Sequence, residues 1–206
     1  MPTADEWLIF LVTATIFAIT PGPGLLYVLA RSLRGGRSEG LRSVVGNSIG
    51  ATTHVVAAAL GLSAVLAAST VAFTVVKYAG AAYLLYLGVQ AIRQRHDEGD
   101  DGAAGNLARS PLVQGILSEL LNPKTALYFM ALLPHFVHPE QAPAPLVFLL
   151  LGVIAMALAS LADLVVALFA GQLGQRLLAH PRWRIRQRVA GGAVMIGLGA
   201  FVATAD

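Results

Sequence analysis

The sequence predicts an all-α polytopic membrane protein of six transmembrane helices, arranged as two inverted three-helix repeats with helices one and four broken. Three observations carry this. Only 12% of the 206 residues are charged and 56% are hydrophobic, whereas a soluble domain carries about 25% charged residues and needs them to wet its surface. Several windows of about 19 residues hold one charge or none, which is the length of a spanning helix. Finally, "ITPGPGLLYV" and "LLNPKTALYF" place prolines inside two such windows.

The elements follow in order. The first span is 7–30. It begins at Trp7 after the acidic "MPTADE", which lacks the basic start of a signal peptide. Further apolar segments cover 44–68, 71–92, 112–133, 145–170 and 189–205, the last extending back toward Arg186. Each lies near the roughly 17–25 residues that cross a bilayer. Glycines within them, among them Gly80, Gly88, Gly115, Gly152, Gly191, Gly192, Gly197 and Gly199, read as close helix contacts. The absence of cysteine excludes disulfides, thiolate metal sites and S-palmitoylation.

Charge gives the orientation. Arg31, Arg34, Arg37 and Arg42 flank the first loop, Arg93, Arg95 and Arg109 the third, and Arg176, Arg182, Arg184, Arg186 and Arg188 the fifth. These are all the arginines of the chain, and alternate loops share one side. The other side carries "HFVHPEQAPAP" and both termini, without Lys or Arg. The positive-inside rule then predicts cytoplasmic arginine loops, with both termini outside. The pI near 9.6 reflects juxtamembrane arginines that hold topology and touch anionic membrane lipid. A nucleic-acid partner is not expected. A single domain, 1–206, is expected: repeat 1 at about 1–95, a cytoplasmic linker at about 96–110, and repeat 2 at about 111–206.

Three spans per repeat is an odd number, so the repeats face oppositely. Each opens with an interrupted helix, at Thr20-Pro21-Gly22-Pro23 and at Asn122-Pro123-Lys124, and a tyrosine, Tyr27 or Tyr128, follows each interruption. A proline removes a backbone donor, and hydrocarbon offers no water to repair the loss. Such breaks are tolerated where they line a polar cavity. Paired broken helices from inverted halves are a way to build a midplane substrate site. The half-helices after Pro23 and Pro123 are expected to turn their N–H ends toward an anionic group such as a carboxylate.

Ionised side chains inside spans cost at least about 2.5–3.5 kcal/mol and mark function or tight pairing. Lys124 is expected beside a substrate carboxylate. Asp163, and after it Glu119, are the candidates for proton coupling or for an ammonium ligand. Lys77 reads as a residue that snorkels to the interface. Asn47 is a candidate to supply an amide to the cavity. Ser48, Thr52 and Thr53 read as packing hydroxyls, and His54 as a histidine hydrogen-bonded within the bundle. His135 and His138 make no metal site without further ligands, and no cofactor is expected.

The segments "ITPGPGLLYVLARSLRGGRSEGLRSVVGNSIG", "KYAGAAYLLYLGVQAIR" and "LLNPKTALYFMALLPHFV" resemble the lysine exporter/homoserine–threonine resistance (LysE/RhtB) family over nearly the whole chain. The resemblance implies export of amino acids or close derivatives by proton antiport. It carries over Pro21, Gly22, Pro23, Asn122, Pro123 and Lys124 as motif residues. Near Glu119 the family often has a neutral residue, so Glu119 would mark substrate preference rather than a universal role. The rival readings are an ion or metal-cation exporter or channel on the same scaffold, a membrane-embedded enzyme, and a structural subunit. Nothing in the sequence resembles a nucleophile–base pair. A homodimer is compatible with the glycine-rich surface.

Overall fold

The structure, a computed structural model, describes residues 2–62, 64, 69–93, 110–178 and 181–204. Nearly all of the expected linker, together with the terminal Asp206 and the side chains of Lys77 and Gly80's surroundings, lies outside that description. Among the described residues the chain is all-helical, with seven α-helices and no strand. Helix α1 is Ala4–Ile19. Its first turn carries a capping box, with Thr3 and Glu6 each bonding the other's backbone amide. Helix α2 is Pro23–Ala57 and continues in one π-helical turn, Ala58–Leu62. Helix α3 is Thr70–Arg93 and α4 is Pro111–Leu120. Helix α5, Pro123–Leu127, runs on through a π turn at Tyr128–Leu132 and a 3₁₀ turn at Leu133–Phe136. The long α6, Ala144–Leu178, and α7, Pro181–Thr204, complete the fold.

No irregular loop separates the first two expected spans. Helical backbone runs through "RSLRGGRSEGLRS" except at Gly36, whose φ of 71° and ψ of −171° only glycine adopts without strain. That one residue folds α2 back on itself. A side chain at Gly40 would run into Ser32, and Arg31 Nη1 lies 3.2 Å from Glu39 Oε2. Residues eight apart in a straight helix are separated by about 12 Å, so these contacts require two arms. Apart from Gly35, Gly36 and Gly40 the connection is built from Ser, Leu, Arg and Glu, which a helix tolerates, and this is why the loop expected there closes to a single residue.

Among the described residues two helical stretches are long and apolar enough to cross a membrane, Pro23–Leu62 and Ala144–Ala170, and Val189–Phe201 is a shorter apolar helix. The outer surface agrees with a lipid solvent. Leu8, Val12 and Ile19 on α1, Val71 and Val75 on α3, and Leu161 and Phe169 on α6 are all exposed, far more apolar surface than a soluble monomer shows. The expected six-span repeat order remains a reading of the sequence.

Inside, Phe10, Ala14 and Phe17 of α1 join Val55, Leu127, Tyr128, Leu132, Phe136, Phe148 and Leu151 in the main core. Phe17 stacks on Tyr128 with ring centroids 4.2 Å apart. The second arm of α2 packs on α4 so closely that a Cβ at Gly46 would meet the Leu112 carbonyl, and one at Gly115 the Ser43 carbonyl. Gly88 of α3 and Gly192 of α7 face each other's carbonyls in the same manner. Gly197 faces open space and is not the close contact expected of it.

Candidate functional site

Both interruptions turn out to be a helix end followed by a new helix start. Pro23 and Pro123 are first residues of α2 and α5, where a missing N–H costs nothing. The damage lies four residues upstream of Pro21 and Pro123. The Phe17 carbonyl would receive its helical bond from residue 21 and the Glu119 carbonyl from residue 123, and both of those are prolines.

The Phe17 carbonyl takes a side-chain donor from the other half of the chain; the Glu119 carbonyl accepts the Asn122 N–H at 3.0 Å and gains a side-chain partner as well. Lys124 Nζ donates to Phe17 O and to Thr20 O, both at 2.6 Å, and sits 4.3 Å from the centre of the Phe17 ring. His54 Nε2 lies 3.0 Å from Glu119 O. A carbonyl only accepts, so His54 carries its proton on Nε2, and it is bonded within the bundle as expected. The reciprocal pattern pins α1 to α5 and α2 to α4 at one level.

The lysine lines the cavity and has a second duty that the sequence did not show. It caps the C-terminal carbonyls of α1, the negative end of that helix dipole, because those carbonyls are the strongest unpaired acceptors within its reach. Two of its three N–H donors are spent there. The expectation of two bare helix N-termini is corrected at one of them. Asn122 Oδ1 accepts from the Lys124 amide at 3.1 Å and caps α5. Of the two helices that start at the breaks, α2, with Gly22 as its N-cap, is the one without a side-chain cap.

The two carboxylates are bonded unequally. Glu119 Oε2 accepts from Asn122 Nδ2 at 2.9 Å and Oε1 from Thr125 Oγ1 at 2.5 Å. Its head lies against Gly24, where a Cβ would collide with it and would stand 3.0 Å from Asn47 Nδ2. Asp163 Oδ2 accepts from Asn47 Nδ2 at 2.8 Å; among the described residues no second donor is found for this carboxylate. Asn47 Oδ1 is buried without a partner. Asn47, Glu119, Lys124 and Asp163 are 3%, 9%, 7% and 8% exposed, so none is solvated from outside. The Tyr128 hydroxyl is also buried and unpartnered.

These groups surround one cavity of about 30 Å³, lined by Gly22, Asn47, Glu119, Asn122, Lys124 and Asp163 and, away from the charges, by Leu25, Ser48, Ala51, Met156, Ala159 and Ser160. About two waters fit such a space. Pro21, Pro23 and Pro123 shape the breaks but do not line it. Sequence reading missed Gly24, Thr125, Met156 and Ser160. Two signals for them existed: Thr125 directly follows Lys124, and Ser160 and Met156 precede Asp163 by one and two helical turns on α6.

A polar cluster lies one turn and more beyond the cavity. The Tyr27 hydroxyl donates to Pro111 O at 2.8 Å, and Arg31 Nε donates to the same hydroxyl at 3.2 Å. Arg31 also bonds Gln114 and Glu39. This cluster ties the first arm of α2 to the start of α4 and closes that side.

The sequence signature of LysE type translocators matches residues 15–206. A membrane protein of Vibrio cholerae is 32% identical over 200 residues, which cover 97% of either chain. A homoserine/homoserine lactone efflux protein of Salmonella typhimurium is 30% identical over 211 residues, 98% of either chain. A leucine efflux protein of Klebsiella pneumoniae is 28% identical over 150 residues, 71% of this chain and 70% of that one. No solved structure matches the chain.

Proposed function

Because the chain belongs to the LysE type translocator family, we propose that it is a secondary-active exporter of amino acids or close derivatives across the bacterial plasma membrane, driven by proton antiport. One observation carries the reading. An ammonium, two carboxylates and an amide oxygen with no partner among the described residues line one cavity at two helix breaks. Named relatives export homoserine and leucine, which are zwitterions of matching polarity.

The roles follow from unused valence. The third N–H of Lys124 and the uncapped N-terminus of α2 suit the substrate carboxylate. Asn47 Oδ1 and the less bonded Asp163 suit its ammonium. Glu119 already holds two donors and stays with Asn122 and Thr125. A cavity of about 30 Å³ is too small for an amino acid, so loading requires the halves to part. The break at 20–22 and the turn at Gly36 supply the joints, and the Arg31–Glu39–Gln114 cluster opens toward the cytoplasm. A proton taken by Asp163 from outside displaces the ammonium, and its release inside resets the carboxylate.

The test is reconstitution. Proteoliposomes with an imposed pH gradient are assayed for saturable counterflow of labelled amino acids across a broad panel. Asp163→Asn should abolish proton-coupled efflux while leaving the protein folded in the membrane. Unchanged coupling removes Asp163 from the mechanism. Conductance without saturable counterflow replaces the carrier by the rival channel or cation exporter.

A further inference from the structure

The two ends of the cavity are closed by different materials. On the side of the first arginine-bearing turn stands the bonded polar cluster of Tyr27, Arg31 and Gln114. The other end is shut by apolar side chains. On α2, Val55 lies one helical turn past the cavity-lining Ala51. Tyr128 lies one turn past the cavity-lining Lys124, and Phe17 of α1 is itself part of the cavity wall. Phe17, Val55 and Tyr128 are all buried in the main core. The Tyr128 ring stacks on the Phe17 ring at 4.2 Å. The layer is tightly packed: a Cβ at Gly152 would stand 3.0 Å from Val55 Cγ1 and 3.1 Å from Phe129 Cε1.

One atom in this layer is unlike the rest. The Tyr128 hydroxyl is buried, and no hydrogen-bond partner is found for it among the described residues. Its counterpart in the other half, the Tyr27 hydroxyl, donates to Pro111 O and accepts from Arg31 Nε. A phenylalanine at 128 would keep the stack on Phe17 without burying a polar atom. The unpaired hydroxyl costs free energy for as long as the layer is shut, and water repairs the loss once the layer opens. It therefore works against the closed arrangement and in favour of an open one. Tyr128 also begins the π turn Tyr128–Leu132, and such turns are frequent at functional sites.

We propose that Phe17 and Tyr128 form the gate at the end of the cavity away from the arginine-bearing turn, and that the Tyr128 hydroxyl biases this gate toward opening. The ring stack closes the cavity, and the unpaired hydroxyl keeps that closure from becoming too stable to reverse. By the charge distribution this is the end expected to face outside, where cargo would leave. The inference rests on the export reading above.

Accessibility tests it. The chain has no cysteine, so Val55→Cys places a single thiol in the closing layer. In right-side-out membrane vesicles of the full chain, an impermeant maleimide should reach that thiol only when the gate opens, at a rate that follows the open fraction. Adding Tyr128→Phe should slow labelling about tenfold, the worth of one unpaired buried hydroxyl. It should also raise the melting temperature of the purified protein by about 3–6 °C. Tyr27→Phe, which deletes a bonded hydroxyl, should lower it. Unchanged or faster labelling in Tyr128→Phe overturns the gate. So do melting shifts of the same sign in the two variants, and so does a folded Val55→Cys protein that never labels. Labelling needs no cargo, so vesicles that label as expected but fail in the counterflow assay overturn the export reading and leave the gate in place.

Discussion

Lys124→Met removes the donors of Lys124 and keeps much of its stem. Two charge-assisted hydrogen bonds at 2.6 Å are lost, each contributing about 1.5–3 kcal/mol, and the seat over Phe17 adds about 1 kcal/mol. Relief of the buried ammonium's desolvation works the other way and amounts to several kcal/mol. The Phe17 carbonyl cannot regain a helical bond, because Pro21 has no N–H, and Glu119 and Asp163 lose their neighbouring cation. Removing one member of a buried charge arrangement costs about 3–5 kcal/mol, so we expect a net loss of about 3 kcal/mol. At about 2–4 °C per kcal/mol for a chain of this size, purified protein in detergent should melt about 6–12 °C lower, with no substrate present. Gly22→Ala should give a weaker version of the same loss, since its Cβ would stand 2.8 Å from Lys124 Cδ and push the stem aside. A Lys124→Met protein that melts within about 2 °C of wild type would refute the capping role.

Two further outcomes are expected. Gly24→Ala raises helix propensity by about 1 kcal/mol, but its methyl group enters the space of the Glu119 carboxylate and the Asn47 amide; efflux should fall at least about tenfold with helicity unchanged by circular dichroism. At the start of α1, ahead of the apolar run from Trp7, the backbone bond from Thr3 holds Glu6 below its ordinary value of 4.5, and His138, 2.9 Å away, adds to this. A lowered carboxylate pKa gives stability that is present above 4.5 and is lost as pH falls through the folded value. Glu6→Gln should therefore melt below wild type at neutral pH, and the gap should close on acidification below 4.5; a gap independent of pH would count against the ionised pair.

Much of the architecture was legible because hydrocarbon imposes simple rules on composition. Apolar length marks α3 within a residue at either end, 71–92 against Thr70–Arg93. It fails where a polar connection can stay helical, as around Gly36, and where arginine-bearing ends continue a helix into the headgroup region, as in α6 and α7. The site was legible as a set of residues: Asn47, Glu119, Asn122, Lys124 and Asp163 do line one cavity. Their partners were not, because sequence gives the cost of a buried charge without saying which acceptor lies nearest. Tyr27 and Tyr128 show the same limit. Equivalent in the sequence pattern, one donates to Pro111 O and the other keeps an unpartnered hydroxyl against Phe17.

The proline rule goes one step further than the breaks themselves. A proline deprives a specific carbonyl, the one four residues upstream, so its position predicts where a foreign donor must arrive. Here the deprived carbonyls are Phe17 O and Glu119 O, and the donors are Lys124 and His54, each from the opposite half. The first half has no donor of its own for Phe17 O, whereas Glu119 O also accepts from the Asn122 N–H at 3.0 Å. Separation of the halves during a transport cycle must therefore expose at least one of these carbonyls, in a slab with no water except in the cavity. Parting the halves at this level therefore costs at least the two Lys124 bonds to Phe17 O and Thr20 O, about 1.5–3 kcal/mol each, unless another donor reaches those carbonyls as they open.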